Sequence, residues 1–202
     1  MADGHPVFAA LYDRFMRQAE KRVGRHREWI VGGARGRVLE VGAGTGASFP
    51  CYRKADEVVA LEPDPFMRAK AEARLRDLRD AAPISLRPGP VEALPFKDAS
   101  FDTAVSTLVF CSVASPRKGL SELSRVLRPG GEFRFIEHVR GDGPGAAVRD
   151  ALTPLWKRIS AGCHLNRRTV EEMRRAGFQV GEVRRDALPP GVPLVAGVAR
   201  KP

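Results

Sequence analysis

The 202 residues are 43% hydrophobic, enough for one domain with a buried core, and the 20 glycines and 16 prolines are spread along the chain, which excludes a low-complexity or collagen-like polymer. No apolar run reaches bilayer-spanning length and no solenoid-length repeat recurs. The formal net charge of +10 invites a nucleic-acid or membrane partner, but the arginines are scattered in pairs such as Arg167-Arg168 and Arg174-Arg175, without a dense tract or interleaved aromatics, so no nucleic-acid partner is expected.

The start, Met1-Ala2-Asp3-Gly4-His5-Pro6, lacks a basic-then-apolar secretion signal, and a cytoplasmic location is the expectation. Residues 6–31 are predicted to form an amphipathic helix. Phe8, Leu11, Tyr12, Phe15, Met16, Ala19 and Val23 recur at helical spacing as one apolar stripe, with Arg14, Arg17, Lys21, Arg22, Arg25 and Arg27 around it. Such a helix can lie on an anionic membrane or pack as a lid over the domain at 32–202.

Strand and helix patterns alternate from there. Val38–Val41 is a buried strand running into Gly42-Ala43-Gly44-Thr45-Gly46, and Val58–Leu61 is a second, ending in Glu62. Asp64-Pro65 reads as an N-cap and first-turn proline for a helix reaching about Arg79. Pro83–Arg87 is a weak third strand and Phe101–Val109 a β-branched fourth. Ser115-Pro116 starts a helix that Arg128-Pro129-Gly130-Gly131 ends, ahead of a fifth strand at Glu132–Val139.

Gly141–Gly145 is a hinge before a segment carrying Trp156. Thr169-Val170-Glu171-Glu172 reads as a capping box whose helix stops at Gly177, and Phe178–Val183 and Val192–Ala199 close the chain as an antiparallel pair. This alternation predicts an α/β fold, a mostly parallel seven-stranded sheet with helices on both faces.

A glycine loop between a first strand and a helix lets backbone N–H groups approach a ligand closely, and an acid ending the second strand can accept ribose hydroxyls. Glu62 lies where such an acid is expected. Gly42, Gly44 and Ala47 also satisfy a degenerate dinucleotide pattern, so the loop alone leaves the cofactor open. Glu40, two residues before the first glycine, repels a pyrophosphate but suits the ammonium and sulfonium of adenosylmethionine.

With Glu40, the block Glu92-Ala93-Leu94-Pro95-Phe96 followed by Ser100-Phe101-Asp102, and Leu127-Arg128-Pro129-Gly130-Gly131, resemble the Rossmann-like class I S-adenosylmethionine-dependent methyltransferases of the ubiquinone-biosynthesis-like (type 11) group. The resemblance implies adenosylmethionine as donor, adenosylhomocysteine as product, and contacts from Glu40, Gly42, Ala43, Gly44, Thr45, Gly46, Glu62, Pro63, Glu92, Thr107 and Leu108.

Thr107–Val113, Ile136-Glu137-His138-Val139, Pro154-Leu155-Trp156 and Gly162-Cys163 with Asn166 are similar to the alkyl-thiol S-methyltransferases, which methylate small lipophilic thiols. Two departures stand out: that family's hydrophobic N-terminal anchor is replaced by the basic helix, and His164-Leu165 separates Cys163 from Asn166. The expected acceptor is therefore a small thiol, with a lipid amine or quinone as the alternative enzyme substrate and an RNA-modifying module as the alternative class.

The acceptor pocket is expected from Tyr12, Cys111, Trp156, Cys163, His164 and Asn166, beside Glu137 and His138, with His138 as candidate base. Cys51, Cys111 and Cys163 form no disulfide framework, and no His, Cys or carboxylate cluster has metal-ligand spacing, so no metal is expected.

Overall fold

The computed structural model describes residues 4–189 and 191–202, apart from the side chains of Asp13, Phe15, Arg17 and Gln18. Phe15 and Arg17 of the expected N-terminal helix pattern, and Met1–Asp3, thus lie outside the described residues.

Helix α1 (Pro6–Ile30) precedes β1 (Gly36–Val41), β2 (Ala55–Leu61), α2 (Pro65–Asp77) and β3 (Ile84–Arg87). Then come β4 (Phe101–Thr107), α3 (Pro116–Val126), β5 (Leu127–His138), α4 (Gly145–Ile159), α5 (Thr169–Arg175), β6 (Gln179–Leu188) and β7 (Val192–Arg200). The seven strands form one sheet in the order β3-β2-β1-β4-β5-β7-β6. The first five run parallel, and β7 is antiparallel to both β5 and β6. The chain winds outward from β1 to β3 on one side and from β4 onward on the other. The carboxyl ends of β1 and β4 therefore flank the point where the winding reverses, the usual ligand crevice of an open α/β sheet.

Strand period two sends alternate residues to two cores. Leu39, Val41, Val59 and Leu61 pack toward Leu120 and Leu123 of α3 and Met173 of α5. Val38, Val58 and Ala60 face Val23 and Ile30 of α1 and Ala71 of α2. Glu40 shares the α1 face with Val38, which carries a carboxylate into an apolar layer. Asp64 caps α2 as expected, accepting from the Phe66 and Met67 amides, and Ser115 caps α3 by accepting from Lys118 N.

Several local expectations are corrected. The glycine loop opens no α-helix: it runs into a single 3-10 turn, Phe49–Cys51, because residues 47–54 are too few for a helix plus the return to β2 and include Pro50. In α1 the buried side is Ala9, Ala19, Val23 and Ile30, while Leu11 is exposed. β4 stops at Thr107 instead of Val109, because Leu108 takes φ +58 and Glu137 captures the next two amides. β5 starts at Leu127, so the Arg128–Gly131 segment is strand, with Gly130 at φ +74 and its amide donating to Lys201 O.

Thr169 is not an N-cap. Arg168 occupies that position without a side-chain cap bond, and the Thr169 hydroxyl is buried in the core. Burial of its methyl outcompetes the local capping geometry. The segment carrying Trp156 is helix α4 over most of its length.

Candidate functional site

The loop leaving β1 is held by its own backbone and by the end of β2. Ala43 N donates to Leu61 O and Gly46 N to Ala43 O, both at 2.9 Å. Glu62 Oε2 accepts from Gly44 N at 2.7 Å and Oε1 from Asp64 N at 2.9 Å, while Arg68 holds the Glu62 carbonyl. Burial raises the Glu62 carboxyl above its ordinary range, opposed by the Asp64 and Gly44 amides.

Gly42, Gly44 and Gly46 all have positive φ. A Cβ on Gly42 would meet Val109 and one on Gly46 would meet Phe49, each at 2.6 Å, whereas one on Gly44 would meet only Met67 at 3.7 Å. Two of the glycines serve packing. Gly44 leaves the space beside its backbone open.

Glu40 lies fully inside, beside Ser48, Tyr52 and Arg27, and burial pushes its carboxyl up to about 7 against the lowering influence of those three. Its Oε2 is buried without a protein hydrogen-bond partner. An unpaired buried carboxylate oxygen next to an open glycine backbone, with a second acid at the end of β2, fits a ligand that carries a cation and a ribose. Glu40, Gly44 and Glu62 are the residues that would hold adenosylmethionine. Ala43 and Thr45 are buried within the loop, and Pro63 stands exposed between Glu62 and Asp64.

The remaining expected donor-side residues divide. Thr107 and Leu108 end β4 beside the loop, and the Thr107 hydroxyl is buried without a partner. Glu92 accepts from Ser115 N at 3.2 Å, so its carboxylate ties the loop before β4 to the start of α3. At the opposite rim, Asp64 accepts from both His5 N and His5 Nδ1, which brings the start of α1 to the end of β2. Tyr12 stacks at a tilt on Phe8, 5.5 Å between centroids.

The expected acceptor residues come partly together. His138 Nε2 lies 2.8 Å from Cys163 Sγ, with Cys111 Sγ in the same group, all three atoms within 4.8 Å. The hydrogen bond with the neighbouring Cys111, and then burial, raise the Cys163 thiol, while His138 lowers it. His164 N and Nδ1 both contact Cys111 O. Asn166 instead turns to Asp150, the partner of Arg140, and Trp156 sits 37% exposed on α4.

Glu137 does not line an open pocket. Its Oε1 accepts from Ser106 Oγ, Val109 N and Phe110 N and so builds the turn after β4. Arg167, which reads in the sequence as one of a surface pair, is half-buried. It donates to Phe110 O and Val113 O at 2.7 Å each and clamps the same turn. Nothing in its spacing marks this role; only the distant carbonyls define it.

A family model described as a methyltransferase domain matches residues 39–135. The chain is 39% identical over 158 residues to thiol S-methyltransferase TMT1B of Rattus norvegicus, covering 76% of this chain and 63% of that protein. It thus spans a little under two thirds of that relative's length. It is 35% identical over 144 residues to a phosphatidylethanolamine N-methyltransferase of Cereibacter sphaeroides, covering 71% of each. Among solved structures, a chain of the complex between the Haloferax volcanii Trm112 methyltransferase activator and its methyltransferase superposes with TM-score 0.74 at 22% identity, covering 98% of this chain and 97% of the other, a likeness of fold. With a donor loop and paired acids at the switch point of this sheet, the chain belongs to the family of S-adenosylmethionine-dependent methyltransferases.

Proposed function

We propose that this protein transfers a methyl group from adenosylmethionine to the sulfur of a small thiol. The observation that carries the reading is the likeness to a thiol S-methyltransferase across 76% of the chain. Bound adenosylmethionine supplies a methyl carbon already activated by its sulfonium. Glu40 complements that positive charge, Glu62 takes the ribose, and Gly44 offers an unobstructed backbone.

The protein's remaining task is to hold the acceptor in line and keep water out. A free thiol has a reference pKa near ~8.5, so a modest shift toward thiolate suffices, and His138 is the imidazole at that end of the crevice. The test is to incubate the protein with adenosylmethionine and separate thiols, amines, phenols and quinols, and to measure adenosylhomocysteine. Turnover confined to amines or quinols overturns the thiol assignment.

A second feature bears on where the acceptor comes from. Val148, Leu152, Leu155 and Ile159 of α4 are 50–66% exposed and, with Trp156, fall at i, i+4, i+7, i+8 and i+11, one face of the helix turned to solvent. Arg149 and Arg158 flank it. Apolar surface rimmed by cations complements an anionic lipid surface, and we propose that α4, more than α1, rests on one.

Flotation with phosphatidylglycerol-containing vesicles should carry the protein at low salt, and Leu155→Ser with Ile159→Ser should release it. Dimerisation through α4 without vesicle binding would count against a lipid partner. Among the described residues no helix is long and apolar enough to cross a membrane.

A further inference from the structure

The tertiary fold gathers two thiols and an imidazole that the sequence scatters. Cys111 follows β4, His138 ends β5, and Cys163 lies between α4 and α5; the three donor atoms lie within 4.8 Å of one another, and His138 Nε2 is 2.8 Å from Cys163 Sγ. Cys111 and His138 are buried and Cys163 is half-buried. We propose that Cys111, His138 and Cys163 form a Cys2His zinc site whose fourth position takes the sulfur of the methyl acceptor.

The geometry supports the ligand set. Tetrahedral zinc, with bonds of about 2.3 Å to sulfur and 2.0 Å to nitrogen, places ligand atoms roughly 3.5–3.8 Å apart. The His138–Cys163 side, at 2.8 Å, reaches that by opening less than about 1 Å, and the sides to Cys111 lie within 4.8 Å. Ligation through Nε2 leaves the proton on His138 Nδ1, which is buried and without a protein partner.

The ligands sit on ordered structure. The turn carrying Cys111 is pinned by Glu137 and Arg167, and the Cys163 loop is tied to it by His164 N donating to Cys111 O at 2.8 Å.

Three protein ligands leave an open position, the arrangement of catalytic zinc as opposed to structural zinc. Val109, two residues before Cys111, packs against Gly42, so the turn carrying Cys111 abuts the glycine loop. An acceptor thiol entering it gives its proton to solvent and binds as thiolate, retaining a sulfur lone pair for the methyl carbon. The task expected of His138 as base passes to the cation. The ligand set stands on the cluster alone, and its use in acceptor binding rests on the thiol reading above.

The intact protein, purified under reducing conditions from zinc-supplemented cells and dialysed, should retain about one zinc per chain, as should Cys51→Ser. Cys111→Ser with Cys163→Ser should lower retention at least about tenfold while keeping the melting transition. The cobalt-loaded protein should show thiolate-to-metal charge transfer, and a small added thiol should shift it. Zinc retention equal in the wild type and the double variant, a cobalt spectrum without thiolate bands, or a Cys111–Cys163 disulfide under those conditions overturns the site. A cobalt spectrum indifferent to added thiol overturns the acceptor role. Turnover confined to amines with zinc still bound overturns the thiol reading and that role together, and leaves the ligand set standing.

Discussion

Glu62, the acid that ends β2, accepts a hydrogen bond from the amide of Gly44 in the loop that leaves β1, at 2.7 Å. One carboxylate thus shapes the glycine loop from the neighbouring strand. Replacement by alanine leaves the Gly44 and Asp64 amides without their acceptor. Glu62→Ala should cost roughly 1–3 kcal/mol of stability in urea unfolding. It should also weaken adenosylhomocysteine binding in calorimetry, with Glu62→Gln falling between it and the wild type. Unchanged affinity in Glu62→Ala would falsify the donor-site assignment.

The loop glycines should separate by function. Gly46→Ala drives a Cβ to within 2.6 Å of Phe49 as well as straining φ +75, so it should unfold at clearly lower temperature. Gly44→Ala meets only Met67 at 3.7 Å and should lose about 1–2 kcal/mol from its left-handed backbone alone. Gly44→Val should keep the fold and lose donor binding. Thermal melts paired with calorimetry read both effects.

Burial raises the Glu40 carboxyl from 4.5 to about 7. An acid raised in the fold holds its proton more tightly folded than unfolded. Its effect on stability is therefore nil below about pH 4.5, grows as pH rises through about 7, and is constant beyond, a loss of roughly 3 kcal/mol. Glu40→Gln should match the wild type near pH 4.5 and exceed it in melting temperature at pH 8. A cationic ligand favours the ionised acid, so donor affinity of the wild type should rise between pH 6 and pH 8 while that of Glu40→Gln stays flat.

Arg167 clamps the turn after β4 through two main-chain carbonyls. Arg167→Ala removes the donor from Phe110 O and Val113 O and should cost about 1–3 kcal/mol. It should raise the acceptor KM and leave donor affinity as it was; Arg167→Lys, which cannot reach both carbonyls with a planar fork, should rescue little. Equal losses of donor and acceptor binding would place it elsewhere in the machinery.

Asp64 serves two elements at once. Asp64→Ala removes both the α2 cap, worth about 0.5–2 kcal/mol, and the anchor of His5. Limited proteolysis should then cut within the first turns of α1 faster than in the wild type, and His5→Ala, which keeps the main-chain amide bond to Asp64 and loses only the ring contact, should speed the cleavage less.

Local chemistry was readable where one short stretch carries the whole signal. Asp64-Pro65 and Ser115-Pro116 start their helices because a side-chain acceptor and a fixed φ act within one turn. Thr169 misled for the same reason: its capping pattern is local, but burial in the core decides its rotamer. Glu137 and Arg167 were illegible in their roles, since their partners lie 27 and 57 residues away at Phe110.

By itself the sequence determined the alternation of strand and helix, hence the seven-stranded sheet, and the glycine loop between Glu40 and Glu62, because hydrophobic period and positive-φ glycines are properties of contiguous residues. The tertiary structure alone decided which face Glu40 enters, that α4 turns its apolar side outward, and that Cys111, His138 and Cys163 meet. Those outcomes depend on strand order. The sheet sets the ends of β4 and β5 side by side and returns the chain after α4 across them, and no spacing along the chain records that proximity.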